Sequence, residues 1–145
     1  MVDVILVKKL LTDLRERKKL LEEKKIKDFR AFSSDPFLHN AVQHMLEVMV
    51  EICVDIGNHI IADNSWPVPS SSREIFETLH QRRVISEDVL KTAKKMVGFR
   101  NIVVHMYERV DLEEVYAIYR RHLKGFEKFA SELEKFISVG RKSRA

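Results

Sequence analysis

Apolar residues recur every three or four positions along most of this chain, the repeat of α-helices that bury one face. A first helix is predicted over about residues 3–27. A second is predicted from Pro36, where Asp35 can cap and proline suits the first turn, to about Asp63. The apolar stripes of the two helices are Val4, Val7, Leu11, Leu14 and Leu21, and then Leu38, Val42, Met45, Met49, Ile52, Ile56 and Ile60.

Segment 64–72 is the longest stretch of helix-breaking residues, and it is predicted to be a loop. Trp66 within it is expected to anchor the loop on the core rather than to stack on a base. Ser71 and Glu74 then form a capping-box pattern, which predicts a short third helix that ends near Gln81.

Two more helices are predicted in the second half of the chain. Ser86 can cap a fourth helix over about residues 87–105, whose first turn carries acidic residues that suit the helix dipole. Asp111 can cap a fifth helix, expected to run without a break to about Ser138. The apolar positions of this fifth helix are Leu112, Val115, Tyr119, Leu123, Phe126, Ala130, Leu133 and Ile137.

Composition agrees with long helices and few turns, since the 145 residues include only 4 Gly and 3 Pro. The hydrophobic fraction of 45% is enough for one domain with its own core. We therefore predict an all-α fold: an antiparallel helical bundle of four long helices and one short helix. The domain is predicted over residues 1–140, and the short basic tail 141–145 is expected to be disordered.

The net charge of +4 and the isoelectric point near 9.2 are compatible with an anionic partner such as RNA without requiring one. The mixed-sign run 15–25 is interpreted as a solvated helix surface, with direct RNA contact as the less favoured alternative. The single cysteine, Cys53, is expected to be a buried, unreactive thiol. Neither a signal peptide nor an apolar run of about 20 residues is present, so we expect a cytoplasmic protein without a membrane segment.

Four polar side chains recur at four-residue spacing on the second predicted helix. Carboxylates and imidazoles can bind metals, but a metal site needs ligands that converge on one point. A straight row along one helix does not converge. We therefore predict neither a metal site nor a cofactor from this row, which consists of Glu47, Glu51, Asp55 and His59.

An arginine interrupts the apolar stripe of the fourth helix. Burying an unpaired guanidinium is costly, so Arg100 needs an acceptor or a wet cleft. Two interpretations remain open: a structural ion pair with the acidic row at Glu51 and Asp55, or a role in binding phosphate. The stripe, spaced four, three, four, three and four residues apart, is Val89, Ala93, Met96, Arg100, Val103 and Tyr107.

The residues around Arg100 suit chemistry on an RNA phosphodiester. Arg100 can hold the phosphate and stabilise the extra negative charge of the transition state. His105 can accept the proton of the 2′-hydroxyl or donate one to the leaving 5′-oxygen, and Asn101 can orient the histidine or the substrate. Glu51 and Asp55 either pair with Arg100 or support catalysis.

Arg100 and His105 do not face the same way on one straight helix. At about 100° per residue they lie about 140° apart around the axis. Asn101 shares a face with His105, whereas Tyr107 lies close to Arg100 in angle. Either the helix ends or distorts near His105, or two copies of this helix face each other across a two-fold axis.

Segment 100–107 resembles a known motif. It reads R-N-x3-H-x-Y and is similar to the R-x4-6-H motif in HEPN domains of the HepT type. The similarity covers about residues 3–138. It includes the flanking stretches Glu51–His59, Met96–Phe99, Val110–Asp111 and Val115–Tyr116.

The resemblance implies a helical-bundle homodimer whose paired motifs line a cleft at the interface. It implies the toxin of a prokaryotic toxin–antitoxin pair and a metal-independent ribonuclease, with Arg100 and His105 as the catalytic pair. The implied partner is a minimal nucleotidyltransferase, the MNT antitoxin, which in this family can add AMP to the motif tyrosine, here Tyr107. The added phosphate and nucleotide would repel RNA and fill the space that RNA needs.

Two other functions remain open at this point. The protein could be a non-catalytic module that binds nucleotide or presents Tyr107 to a nucleotidyltransferase. It could also be a purely structural helical dimer, in which Arg100 serves only an ion pair. Cleavage of RNA by the purified protein would distinguish the ribonuclease from both.

Overall fold

The computed structural model describes residues 3–105 and 111–143, with the side chains of residues 3–100 and 111–140. The described part of the chain contains seven helices and no strand, so the predicted all-α fold is confirmed. The helices are α1 (Val4–Lys24), α2 (Phe29–Ser33), α3 (Pro36–Asp63), α4 (Ser72–Gln81), α5 (Glu87–His105), α6 (Leu112–Arg121) and α7 (Leu123–Ser143).

The long helix α3 lies at the centre and packs against α1, α2, α4, α5 and α6. Its start is as predicted, with the Asp35 carboxylate accepting the N–H of Leu38 and proline in the first turn. At the other end, the N–H of Asp3 before α1 donates to the Asp63 carboxylate over 3.0 Å, so α1 and α3 run antiparallel. Most of the predicted apolar stripes belong to the core, whose fully buried members include Val7, Leu14, Met49, Ile56 and Ile60. The predicted members Val4, Leu38 and Met45 are only partly buried, and Leu46, which was not predicted, is fully buried.

Helices α5 and α7 also run antiparallel. The N–H of Ser86, just before α5, donates to Glu132 in the middle of α7 over 2.7 Å. Thr92, two turns further along α5, instead lies against Gly125 near the start of α7. A Cβ on Gly125 would lie 2.7 Å from the Thr92 Cγ2 atom, so this close crossing requires glycine.

The predicted fifth helix is two helices, and the prediction of one unbroken element is wrong. Helix α6 ends at Arg121 and α7 begins at Leu123. His122 between them has φ of −116° and ψ of 3°, outside the helical region. Gly125 lies in the first turn of α7, and glycine weakens a helix. The apolar repeat continues in phase through His122, which is why periodicity did not reveal the break. Helix α7 also continues to Ser143, past the predicted end at Ser138.

The first helix ends at Lys24, three residues before the predicted end, and the short helix α2 was not predicted. Lys25 takes a left-handed conformation with φ of 49°, which stops α1. Asp28 then caps α2 by accepting the N–H of Ala31 over 2.8 Å. The rings of Phe29 and Phe32 in α2 lie against Tyr116 of α6, so distant contacts stabilise this single turn.

Trp66 anchors its loop on the core, as predicted. Its ring lies 6.3 Å from that of Phe136, and the Arg82 guanidinium lies 5.2 Å over it. Cys53 is buried and free, and burial raises the pKa of its thiol, which makes it unreactive. None of the described helices is both long and apolar enough to cross a membrane.

Candidate functional site

The arginine of the fourth-helix stripe lies between α3 and α4. Helix α5 extends from Glu87 to His105, as predicted, and Val89 and Met96 in the same stripe are buried. The Arg100 side chain keeps 27% of its surface exposed, so the guanidinium lies at the edge of the core and still reaches solvent.

Arg100 has two acceptors on neighbouring helices. Its Nη2 atom lies 2.7 Å from Oε2 of Glu51 on α3, and its Nη1 donates to Oγ of Ser72 on α4 over 3.1 Å. These bonds satisfy the requirement that a half-buried guanidinium must be paired. A guanidinium has more N–H donors than these two bonds use, so Arg100 retains donors for a further acceptor such as a phosphate.

The predicted ion pair is therefore present, and it is formed by Glu51 rather than by Asp55. Asp55, one turn further along α3, is exposed and makes no ion pair with Arg100. Glu47, one turn earlier, accepts a hydrogen bond from Gln43 over 3.3 Å. Within the described residues, no group of three or more His, Cys, Asp or Glu side chains is placed to hold a metal ion.

The other residues of the predicted motif lie partly or wholly outside the described residues. The backbone of Asn101 and His105 belongs to α5, but their side chains lie outside the described residues. Tyr107 lies outside the described residues altogether. The structure thus describes the arginine half of the candidate site, and the roles of Asn101, His105 and Tyr107 stay predictions.

Ser72 is the contact of Arg100 that sequence reasoning missed. Three consecutive serines lie at the start of α4. Ser71 caps the helix by accepting the N–H of Glu74 over 3.1 Å, and Ser70 bonds to the Glu74 carboxylate. Ser70 and Ser71 therefore take part in the helix cap, whereas Ser72 does not. A serine run longer than the cap requires was the available signal for a second role.

A glycine on α3 allows α4 to come close enough for this contact. A Cβ on Gly57 would lie 2.5 Å from Cγ2 of Ile75, closer than real Cβ atoms approach a neighbour. Gly57 lies less than two turns from Glu51 on α3, and Ile75 lies one turn from Ser72 on α4. The close crossing of α3 and α4 therefore brings both acceptors to the same guanidinium.

Comparison with known proteins identifies the family of this chain. The family model described as ribonuclease HepT-like matches residues 10–133. The chain belongs to the HepT-like ribonuclease family. The mRNA nuclease HepT of Shewanella oneidensis is 38% identical over 102 residues, which cover 70% of this chain and 77% of that protein.

Solved structures of this HepT-like protein's relatives have the same fold. The tri-AMPylated HEPN toxin of Shewanella oneidensis, in complex with MNT antitoxin, is 31% identical, with a TM-score of 0.83. That match covers 93% of this chain and 99% of the toxin. The protein YutE from Bacillus subtilis is 21% identical, with a TM-score of 0.84 over 96% of this chain and 93% of YutE, and supports the fold alone.

Proposed function

We propose that this HepT-like protein is a metal-independent endoribonuclease, the toxin of a prokaryotic toxin–antitoxin pair that acts in the cytoplasm. The observation that carries this proposal is the guanidinium of Arg100, which Glu51 and Ser72 hold at the edge of the core with donors to spare. Its place five residues before His105 on α5 matches the motif of a family whose relatives are named mRNA nuclease and tRNA nuclease.

Arg100 binds the scissile phosphate in the proposed reaction. Its spare N–H donors hold the non-bridging oxygens and stabilise the charge that develops in the transition state. His105 moves the proton, accepting it from the 2′-hydroxyl or donating one to the leaving 5′-oxygen. The 2′-hydroxyl of the RNA is itself the nucleophile, and a metal-bound water is therefore not required.

Three residues support the pair in this proposal. Glu51 fixes the orientation of Arg100 through the 2.7 Å ion pair and remains 46% exposed, so it does not bury a charge. Asn101 orients His105 or the substrate. Asp55 is exposed one turn along α3 and contributes charge near the cleft rather than a bond to Arg100.

The active form is a homodimer in this proposal. Arg100 and His105 lie about 140° apart around one helix by the α-helical repeat, so two copies of the motif share one cleft. The partner is an MNT-type nucleotidyltransferase, which transfers AMP to Tyr107. The relative crystallised with MNT antitoxin is a tri-AMPylated HEPN toxin, which supports this regulation.

Cleavage by purified protein tests the proposal. Protein free of its partner is incubated with labelled RNA in EDTA, beside a His105→Ala variant that keeps its helical circular dichroism. We expect cleavage by the wild type and none by the variant. Equal cleavage by both would overturn the role of His105, and absence of cleavage by the wild type on mRNA and tRNA substrates would overturn the ribonuclease.

Mass spectrometry tests the proposed regulation. After co-expression with the nucleotidyltransferase, we expect the wild-type chain to gain one or more AMP units and the Tyr107→Phe chain to gain none. A gain that persists in Tyr107→Phe would exclude Tyr107 as the only target.

The Glu51–Arg100 ion pair also favours a second candidate. A guanidinium already paired with a carboxylate is less free to stabilise the charge of a transition state, as expected of a non-catalytic module that binds nucleotide or the nucleotidyltransferase. This candidate predicts partner binding without RNA cleavage, and the cleavage experiment above separates the two.

A further inference from the structure

A group of basic side chains surrounds the break between α6 and α7. Arg120 and Arg121 end α6, and Lys124 lies in the first turn of α7. Lys95 of α5 also lies near the α6–α7 break, because α5 crosses α7 where Thr92 contacts Gly125. We call Lys95, Arg120, Arg121 and Lys124 the basic surface.

The cations of the basic surface have no acidic partner in the part of the chain that the structure describes. All four side chains are exposed, and none makes an ion pair or a hydrogen bond with a described residue. Several basic residues elsewhere are paired, as Arg15 is with Glu127 and Glu134, whereas others, such as Lys8 and Lys9, are exposed as single charges on another surface. Glu22 lines the same groove as Arg121 and Lys124, but it bonds to Lys18.

Three of these cations lie near the histidine at the break, His122. Partial burial lowers the pKa of His122, and the positive charges of Lys95, Arg121 and Lys124 lower it further. Cations from three helices therefore act on one imidazole. A surface that repels an additional proton attracts an anion for the same reason.

Aromatic rings border the basic surface on its α6 side. Arg120 and Arg121 line a groove together with the half-buried rings of Phe29 and Tyr116. Cations beside aromatic rings suit single-stranded nucleic acid, whose phosphates need charge and whose bases can stack. An acidic peptide would use the cations but not the rings.

The exposed face of α5 extends from Lys95 of the basic surface toward the motif. Lys91, Lys95 and Gly98 are exposed and are spaced four and three residues apart. Continuing the helical spacing by four and three leads to residues 102 and 105. Position 105 therefore lies about 15 Å further along the axis than Lys95 and about 80° from it around the axis.

We propose that the basic surface binds the phosphate backbone of single-stranded RNA and leads the strand to the α5 motif. This rests on the proposed ribonuclease function. The contacts are to phosphates, so they contribute affinity and direction along the strand without reading its sequence.

Binding of a non-cleavable RNA tests the proposal apart from catalysis. The probe is a fluorescently labelled 20-nucleotide 2′-O-methyl RNA, which keeps the phosphates but lacks the nucleophile. Anisotropy is measured from low to moderate salt for wild-type protein, for Arg121→Gln/Lys124→Gln, and for Lys8→Gln/Lys9→Gln on α1. The control removes the same charge from two exposed lysines on another surface.

We expect Arg121→Gln/Lys124→Gln to bind about 25-fold more weakly at about 0.1 M salt, because each phosphate contact on a single strand contributes about 0.7 to the slope of log affinity against log salt. The slope should fall by about 1.4. The control should stay close to wild type. Binding and slope that equal those of the control would overturn the proposal.

Two further measurements separate this proposal from its rivals. Wild-type protein that binds the probe through the basic surface but cleaves no natural RNA would refute the ribonuclease and leave the binding surface standing. Arg121→Gln/Lys124→Gln protein that binds RNA normally but no longer binds the nucleotidyltransferase would overturn the RNA assignment in favour of a protein-docking surface.

Discussion

Arg100 and the arginines of the basic surface lie in contrasting environments within one fold. Arg100 is half-buried and bonded to Glu51 and Ser72 from two helices, so its guanidinium has one orientation. The cations around the α6–α7 break are exposed and have no described acidic partner. The first arrangement suits a charge that must meet one phosphate in one geometry, and the second suits attraction of an extended polyanion.

The difference shows what burial adds to a positive charge. A paired guanidinium at the edge of the core loses little orientational freedom on binding, because the protein has already fixed it. An exposed lysine or arginine must be ordered by its ligand, and salt weakens its attraction. The four predictions below follow from this contrast, in order of decreasing effect.

The largest effect is expected from removing the fixed guanidinium. Arg100→Ala should lower kcat for RNA cleavage by about 100- to 1,000-fold, because a pre-oriented donor to the transition state is lost. Lys124→Gln should lower kcat/KM only about fivefold, mainly through KM, because it removes one exposed phosphate contact. The matched control is Arg73→Ala, an exposed arginine on α4. Similar losses of kcat for Arg100→Ala and Lys124→Gln would contradict the expected difference between the fixed and the exposed cation.

The close crossing of α3 and α4 that orients Arg100 can be widened by one methyl group. Gly57→Ala should lower the free energy of unfolding by about 1–3 kcal/mol, because the new Cβ would collide with Ile75. Gly98→Ala is the control, since a Cβ there meets nothing within 4 Å and alanine favours a helix by about 1 kcal/mol. Chemical denaturation measures both, and a Gly57→Ala chain as stable as Gly98→Ala would contradict the prediction.

Substitutions of two adjacent serines should distinguish the orientation of Arg100 from the stability of the fold. Ser72→Ala should lower kcat about tenfold with little change in stability, because it removes one of the two bonds that orient Arg100. Ser71→Ala should lower the free energy of unfolding by about 1 kcal/mol through loss of the α4 cap, with kcat nearly unchanged. Rescue of kcat by Ser72→Thr would support the positioning role, and the opposite pattern of effects would refute it.

The smallest effect concerns pH at the basic surface. Because burial and nearby cations lower the pKa of folded His122, the unfolded chain binds the proton first as pH falls through about 6.5. Stability should therefore fall with pH in that range, and less steeply in His122→Gln. Denaturation curves between about pH 8 and 5.5 measure this, and equal slopes in both proteins would rule it out.

Most of the fold was predictable from local signals. The apolar repeat of α3 and the caps at Asp35, Ser71 and Asp111 act within a few residues, so their sequence patterns indicate the elements directly. Helix α2 was not predictable in this way, because one turn is too short to be stable alone and depends on ring contacts with Tyr116. The break at His122 was hidden because the apolar repeat continues through it.

The candidate site, like the fold, was predictable where local sequence signals determine it and not where distant contacts do. The sequence identifies Arg100 as a polar residue in an apolar stripe and requires an acceptor for it, since an unpaired buried charge is too costly. Which of Glu51 and Asp55 accepts, and that Ser72 joins it, depended on how α3, α4 and α5 cross, because these residues are distant along the chain. Gly57 permits the close crossing of α3 and α4 because it has no Cβ atom. Only the tertiary packing of the two helices shows why a glycine is needed at this position.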